Sequence, residues 1–198
     1  DCLLEAEILA PAPIERVELR NRTELVETIR PYDAAALGRR VRVHWEGSEY
    51  RGRGRATVWR GEIGVSGNRF AAVRPVNRWN IDRPFEAGAE AIRFESVTTG
   101  GFAGADILLA EPEAGRLSIA TGLVSTALDI ATVGLEDRVF EAGGLGRRIR
   151  VFRLPDVNDH HGIRFARRVA LRQAGDNALY LRATLEDGAV LWSSPIYL

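Results

Sequence analysis

The sequence predicts an all-β protein, a β-sandwich with immunoglobulin-like outer strands and a β-rich insertion. Three observations carry that prediction. Apolar and polar residues alternate with a period of two along several short runs. Turn residues punctuate the chain at intervals of roughly 8–12 residues. Helical spacing of apolar residues is almost absent.

The elements follow in order. In IERVELR (14–20), Ile14, Arg16 and Glu18 alternate with Val17 and Leu19. In RRVRVHW (39–45), Val41, Val43 and Trp45 share one face, and Arg40, Arg42 and His44 take the other, as a half-buried strand requires. RIRVFRL (148–154) and ALYLRATLED (178–187) repeat the pattern, the latter aiming Leu179, Leu181, Ala183 and Leu185 at a core. Turns are expected at Asn21-Arg22, Glu46-Gly47, Ser66-Gly67-Asn68, Gly143-Gly144, Gly175-Asp176-Asn177 and Asp187-Gly188. PYDAAALG (31–38) holds one helical turn ended by Gly38. Residues 121–134 place Val124, Leu128 and Ala131 at helical spacing, yet their Thr and Val content favours a strand. The closing Ser193-Ser194-Pro195 breaks the last strand, because Pro195 has no N–H for the ladder. That suits an edge position, with Trp192 over the end of the sandwich.

Glycine crowds residues 51–147, from RGRGR to EAGGLG, and long alternating runs are few there. The expected organisation is an outer sandwich made of 1–50 plus 148–198, interrupted by an inserted β-rich subdomain over 51–147.

Composition excludes several classes. The 27 cations, all arginine, balance 27 carboxylates, so no global field draws nucleic acid or an anionic membrane. The absence of lysine is read as codon bias. Cys2 is the single cysteine, which rules out an internal disulfide. No apolar run approaches the ~18 residues of a membrane span. The first residues, DCLLEAEILAPAPIERVEL, lack the basic region and cleavage site of a secretion signal, and a cytoplasmic location is expected. The chain opens on Asp1 and contains no methionine, which reads as a piece of a longer polypeptide.

Candidate sites are weighed against plainer roles. PDVNDHHGIRF (155–165) gathers Asp156, Asn158, Asp159, His160 and His161. His160 sits fifth and Gly162 seventh, where a calcium loop needs oxygen ligands at alternate positions and a glycine sixth. Adjacent histidines on extended backbone point apart, so the stretch reads as a polar loop. RGRGR (51–55) offers Arg51, Arg53 and Arg55 to an anion, but Glu46, Glu49 and Glu62 are close in sequence and are expected to pair with them. TTGGFAGAD (98–106) lacks the Lys-Ser/Thr of a phosphate-binding loop and reads as a tight β-connection. Among four tryptophans, Trp45 belongs to a core face, whereas Trp79 in PVNRWNIDRP sits in a polar loop. Trp79, with Arg78, Asn80 and Asp82, is the candidate ligand site. No catalytic constellation, metal site or cofactor site is found: no Gly-x-Ser-x-Gly elbow exists, and Cys2 has no paired histidine.

GDNALYLRATLEDGAVLWSSPIYL (175–198) resembles the closing segment of bacterial proteins of the PHP (polymerase and histidinol phosphatase) superfamily. The shared features are Tyr180, Arg182, the Asp187-Gly188 turn and Trp192-Ser193-Ser194-Pro195-Ile196. PIERVELRNRTELVET, RVRVHWEGSEYRGRGRATVWRG and GGLGRRIRVFRLP look similar to that family as well. The resemblance implies a metal-dependent phosphoesterase whose His-x-His-bearing catalytic domain precedes a β-rich ending. The three histidines here, His44, His160 and His161, do not have that spacing, so no metal ligand carries over. On this reading the chain is a non-catalytic accessory domain. Its partner is an N-terminal catalytic domain of the same polypeptide, and a homo-oligomer is also allowed. The alternative is a free-standing carbohydrate- or ligand-binding sandwich centred on Trp79.

Overall fold

The computed structural model describes residues 1–198. Its strands in chain order are β1 (Cys2–Leu9), β2 (Ile14–Asn21), β3 (Glu24–Ile29), β4 (Arg40–Ser48), β5 (Thr57–Ser66), β6 (Phe70–Val76), β7 (Phe85–Ala87), β8 (Ala91–Thr98) and β9 (Phe102–Leu109). There follow β10 (Arg116–Thr121), β11 (Ser125–Asp129), β12 (Arg138–Glu141), β13 (Leu145–Leu154), β14 (Gly162–Val169), β15 (Ala178–Leu185), β16 (Val190–Trp192) and β17 (Ile196–Tyr197). Two short 3-10 turns, Ala34–Ala36 and Ile130–Thr132, are the only helical elements. The protein is all-β and built of antiparallel sheets. The helical turn expected before Gly38 is the first 3-10 turn. The ambiguous stretch 121–134 resolves into β11 followed by the second.

The chain divides into two compact units, Asp1–Asp33 with Val157–Leu198, and Ala34–Asp156. The boundaries therefore differ from those expected at 50/51 and 147/148. Strands β4 and β13, assigned from sequence to the outer module, pair with each other inside the Ala34–Asp156 unit, His44 opposite Arg150. Alternation reveals that a strand is half-buried but not which strand it joins, and the other neighbour of β4 is β9, from the glycine-rich stretch.

The discontinuous unit holds a two-stranded sheet, β1-β14, and a sheet of order β16-β15-β2-β3 in which β17 also joins β15. Leu4, Ile14, Val17, Leu19, Phe165, Val169, Leu179 and Leu185 form its core. Ile14 has the sequence parity of Arg16 and Glu18, yet it lies in the core with Val17. A register shift between the Arg16–Thr184 and Ile14–Leu185 pairs inserts one extra residue, Glu15, and flips the face. Pro195 separates β16 from β17 on the edge beside β15, as the final strand break predicts. Trp192 does not cap the sandwich. It stacks on Tyr180 at 5.9 Å beneath the Arg182 guanidinium and stays exposed.

The Ala34–Asp156 unit is a sandwich of two five-stranded sheets, β12-β13-β4-β9-β6 and β11-β10-β5-β8-β7. Their facing sides bury Val41, Val43, Trp45, Trp59, Ile63, Ile92, Phe94, Ile107 and Ile149. The Trp45 ring of one sheet stacks on Phe94 of the other at 4.1 Å. The glycine-rich stretch is thus not poor in long strands, since β5 spans ten residues and β8 and β9 eight each.

Candidate functional site

The sheet order of the Ala34–Asp156 unit brings separate loops to one end. Register aligns Glu46 of β4 with Phe102 of β9, Val76 of β6 with Gly104 of β9, and Leu145 of β13 with Ser48 of β4. Residues 49–56, 77–84 and 99–101, together with the turn at 142–144, therefore leave the sheets at the same end. The first three cross from one sheet to the other. Adjacent strands lie about 4.8 Å apart, so the 49–56 and 77–84 loops start about 10 Å from each other, with β9 between them.

Gly47 anchors this end. At φ 94° it turns the end of β4 in a conformation that disfavours a side chain, and a Cβ there would meet Gly146 O at 2.3 Å. The Gly47 N–H donates to Gly101 O at 3.0 Å, and Gly47 O accepts from Gly100 N at 3.1 Å. Gly47 O also accepts from the Thr98 hydroxyl at 2.7 Å, whose oxygen in turn accepts the buried Trp59 indole N–H at 2.9 Å. The loop base is thereby fixed to the core.

The 49–56 loop is closed by Glu49 N donating to Arg55 O at 3.2 Å. Gly52 and Gly54, at φ 104° and 72°, turn the chain inside that closure. Arg51, Arg53 and Arg55 are exposed. The expected pairing with nearby glutamates does not occur. Glu46 binds Arg148 and, at 3.0 Å, Arg150, while Glu62 binds Arg93 at 2.9 Å. Glu46 and Glu62 belong to β4 and β5, so their side chains meet cross-strand arginines instead of the loop.

The 77–84 loop carries the candidate residues. Asn77, at φ 52°, donates its side-chain N–H to Phe102 O at 3.2 Å. Arg78 folds over the Phe85 ring at 5.7 Å and donates to Ile81 O at 3.2 Å and Arg83 O at 2.8 Å. Its guanidinium thus holds the loop. Arg83 in turn binds Glu95, which also accepts Arg60 Nε at 2.7 Å. With the backbone so held, the Trp79 ring is 61% exposed and Ile81 is 78% exposed. Asp82 is solvent-facing, and Asn80 Oδ1 is buried with no hydrogen-bond donor beside it. Sequence reading placed Trp79 and the 51–55 arginines at unrelated sites. The register through β9 brings them to one end, and no local signal announces that.

Of the 155–165 stretch, Asp156 and Asn158 are taken up by the scaffold, whereas Asp159 is exposed. Asp156 accepts Arg39 N at 2.6 Å and Arg39 Nε at 3.1 Å. Asn158 donates to Ile14 O and to Glu186 Oε1, both at 3.0 Å, and its Oδ1 lies 2.8 Å from His160 Nδ1. No group of three or more His, Cys, Asp or Glu side chains is arranged to hold a metal ion. On the outer face of β5 and β8, a groove of about 480 Å³ runs between Arg60–Glu95 and Arg93–Glu62. Arg60, Glu95, Arg93 and Glu62 neutralise one another in pairs there, and Glu86 also lines it. No helix is long and apolar enough to cross a membrane.

Comparison of the chain with protein-family models, with curated proteins and with solved structures gave no match.

Proposed function

We propose that this chain is a non-catalytic recognition module whose Ala34–Asp156 sandwich binds a carbohydrate at its loop end. The supporting observation is Trp79, an exposed indole on a loop whose backbone is tied down by Asn77, Arg78 and Arg83. A pyranose ring offers an apolar C–H face to an indole and polar hydroxyls at its rim. A ring carried on a backbone already held in place loses less conformational freedom on binding than one on a free loop. Asp82, exposed on the same loop, is the candidate partner for those hydroxyls.

Tryptophan emission during titration with a panel of neutral and acidic oligosaccharides tests this reading. A saturable change is expected, abolished by Trp79→Ala and kept by Trp192→Ala. Loss of the signal in the Trp192 variant alone would refute it.

A second reading is favoured by a separate observation. Trp192, Ile196, Tyr197 and Leu198 leave more than half of each side chain exposed on the closing hairpin of the discontinuous unit. Clustered apolar exposure suits a protein contact. In this reading the chain is the accessory ending of a PHP-type metal-dependent hydrolase. Its discontinuous unit, with immunoglobulin-like outer strands, would pack on an upstream catalytic domain of the same polypeptide. Immunoblotting of the native product decides: a band near 21.8 kDa would overturn this reading, and a much larger one is expected.

A further inference from the structure

We propose that the loop end selects anionic glycans, those bearing carboxylate or sulfate groups, through Arg51, Arg53 and Arg55. This rests on the carbohydrate reading and adds the charge of the ligand to it.

Three observations combine. First, the side chains of Arg51, Arg53 and Arg55 form no ion pair or hydrogen bond, and two of the neighbouring glutamates, Glu46 and Glu62, are held in the sheets by Arg148, Arg150 and Arg93. Second, the loop is built to present them. It closes on itself through Glu49 and Arg55, and its two left-handed glycines turn the chain. A Cβ placed on Gly52 would meet nothing within 4 Å. Third, the balance of charge across the two long loops is positive. Arg51, Arg53, Arg55 and Arg78 lack a carboxylate partner, against two unpaired acids, Glu49 and Asp82.

A planar guanidinium offers paired N–H donors that match a carboxylate or a sulfate oxygen pair, and it holds its charge at every physiological pH. Three such forks, on a loop whose base lies about 10 Å from the base of the Trp79 loop, suit an oligosaccharide with one ring stacked on Trp79 and acidic groups on neighbouring sugars. A nucleic acid fits less well. The full chain is electrically neutral, and Trp79 and the half-exposed Tyr50 are the only aromatic rings exposed on these loops, where single-strand binders line up successive stacking rings along a basic groove.

The test uses the full chain and four probes: cellohexaose, hexagalacturonate, a heparin-derived hexasaccharide and a mixed-sequence single-stranded RNA. Affinity is read by tryptophan emission and by calorimetry at 50 and 300 mM salt. An acidic hexasaccharide is expected to bind at least tenfold more tightly than cellohexaose, with the advantage shrinking at high salt. Exposed charge pairs contribute modestly one by one. R51Q/R53Q/R55Q is therefore expected to lose roughly ten- to a hundredfold for the acidic probe and little for cellohexaose. Far-ultraviolet circular dichroism of that variant is expected to match the parent. R51K/R53K/R55K separates charge from fork geometry by recovering only part of the loss.

Preference for the galacturonate over the heparin fragment, or the reverse, identifies the acidic group. Equal, salt-insensitive binding of neutral and acidic glycans overturns this inference and leaves the carbohydrate reading standing. Binding of no glycan overturns both. Tighter binding of the RNA overturns the inference in favour of a nucleic acid.

Discussion

Arg153 ties three irregular segments of the Ala34–Asp156 unit together through four side-chain hydrogen bonds. It lies near the end of β13 with 6% of its surface exposed. It donates Nε to Val133 O at 2.7 Å, Nη1 to Gly38 O at 2.8 Å and Pro112 O at 2.6 Å, and Nη2 to Ile130 O at 2.7 Å. Those carbonyls belong to three irregular segments: the entry to β4, the β9–β10 connection and the β11–β12 connection. Burial pulls the guanidinium below its ordinary range, and the carboxylates of Glu113 and Asp156 pull it back. It stays charged, since arginine does not lose its proton in proteins.

The magnitude follows from two opposing terms. Four hydrogen bonds from a cation are worth about 1.5–3 kcal/mol each. Burying the cation costs several kcal/mol, which cancels much of that sum. Arg153→Met keeps the apolar stem and removes every donor, so the carbonyls are left to whatever water can reach them. A net loss of about 3–5 kcal/mol is expected, a large share of the ~5–15 kcal/mol that holds an ordinary domain together. Arg153→Lys retains the charge but cannot span three segments with one ammonium, and should lose about half as much.

Urea unfolding followed through the emission of buried Trp45 and Trp59 reads this directly. The midpoint should fall by about 1.5–2 M for Arg153→Met at unchanged slope. A loss below about 1 kcal/mol would refute the reasoning, because it would mean that the three segments hold their places without the guanidinium.

Asp106 gives a pH signature. Burial raises its pKa, but the hydrogen bonds from Arg40 and the charges of Arg42 and Arg40 outweigh burial and hold the carboxyl below its usual value. Its stabilisation is complete above the unfolded value of about 3.9 and is lost as pH falls through the lowered folded value. Asp106→Asn should therefore flatten the stability profile below about pH 4 while lowering stability at pH 7, measured by urea titration across pH. Tyr32 acts at the other end. Burial pushes its phenol up to about 12 against the nearby Arg30, and its hydroxyl donates to Glu15 O at 2.9 Å. The neutral form stabilises the fold below about pH 10, and that contribution fades as pH rises from there towards 12. Absorbance at 295 nm should show a phenol ionising near 12, and Tyr32→Phe should remove that step. Gly47→Ala combines a positive φ with backbone atoms closer than 2.6 Å to the new Cβ, and should cost about 3–5 kcal/mol in thermal or urea unfolding.

Much of the fold is written as alternation, and its failures have local causes. Leu179, Ala183 and Leu185 sit in the core as their spacing requires, with Leu181 packed against it. Val41, Val43 and Trp45 do the same in the other unit. Strand β9, FAGADILL, is almost entirely buried, so no polar face alternates with an apolar one. Its small residues reflect crowding as well, since a Cβ on Gly104 would lie 2.4 Å from Val43 O. Composition alone makes such a strand look like glycine-rich connection. The unit boundaries failed for a related reason: β4 and β13 look like strands of any half-buried sheet, and only their partners reveal which unit owns them.

The loop end tests how far residue types can be read without topology. Trp79 was recognisable because its neighbours are polar and it shares no apolar stripe. The arginines at 51, 53 and 55 were recognisable as a charged run, but neighbouring glutamates in sequence suggested neutralisation. What decides between a neutral loop and a basic one is strand direction. Glu46 and Glu62 lie within β4 and β5, whose cross-strand partners at those positions are Arg148 and Arg93. The sheets consume the acids and leave the loop its charge. Proximity along the chain therefore overstated pairing within 46–62, and it missed the approach of 49–56 to 77–84. Both errors have one source: the hydrogen-bonded ladder β13-β4-β9-β6 joins residues a hundred positions apart and separates residues only a few positions apart. A site assembled from loops at a sandwich end follows from strand order, and the residues that form it need share no local pattern.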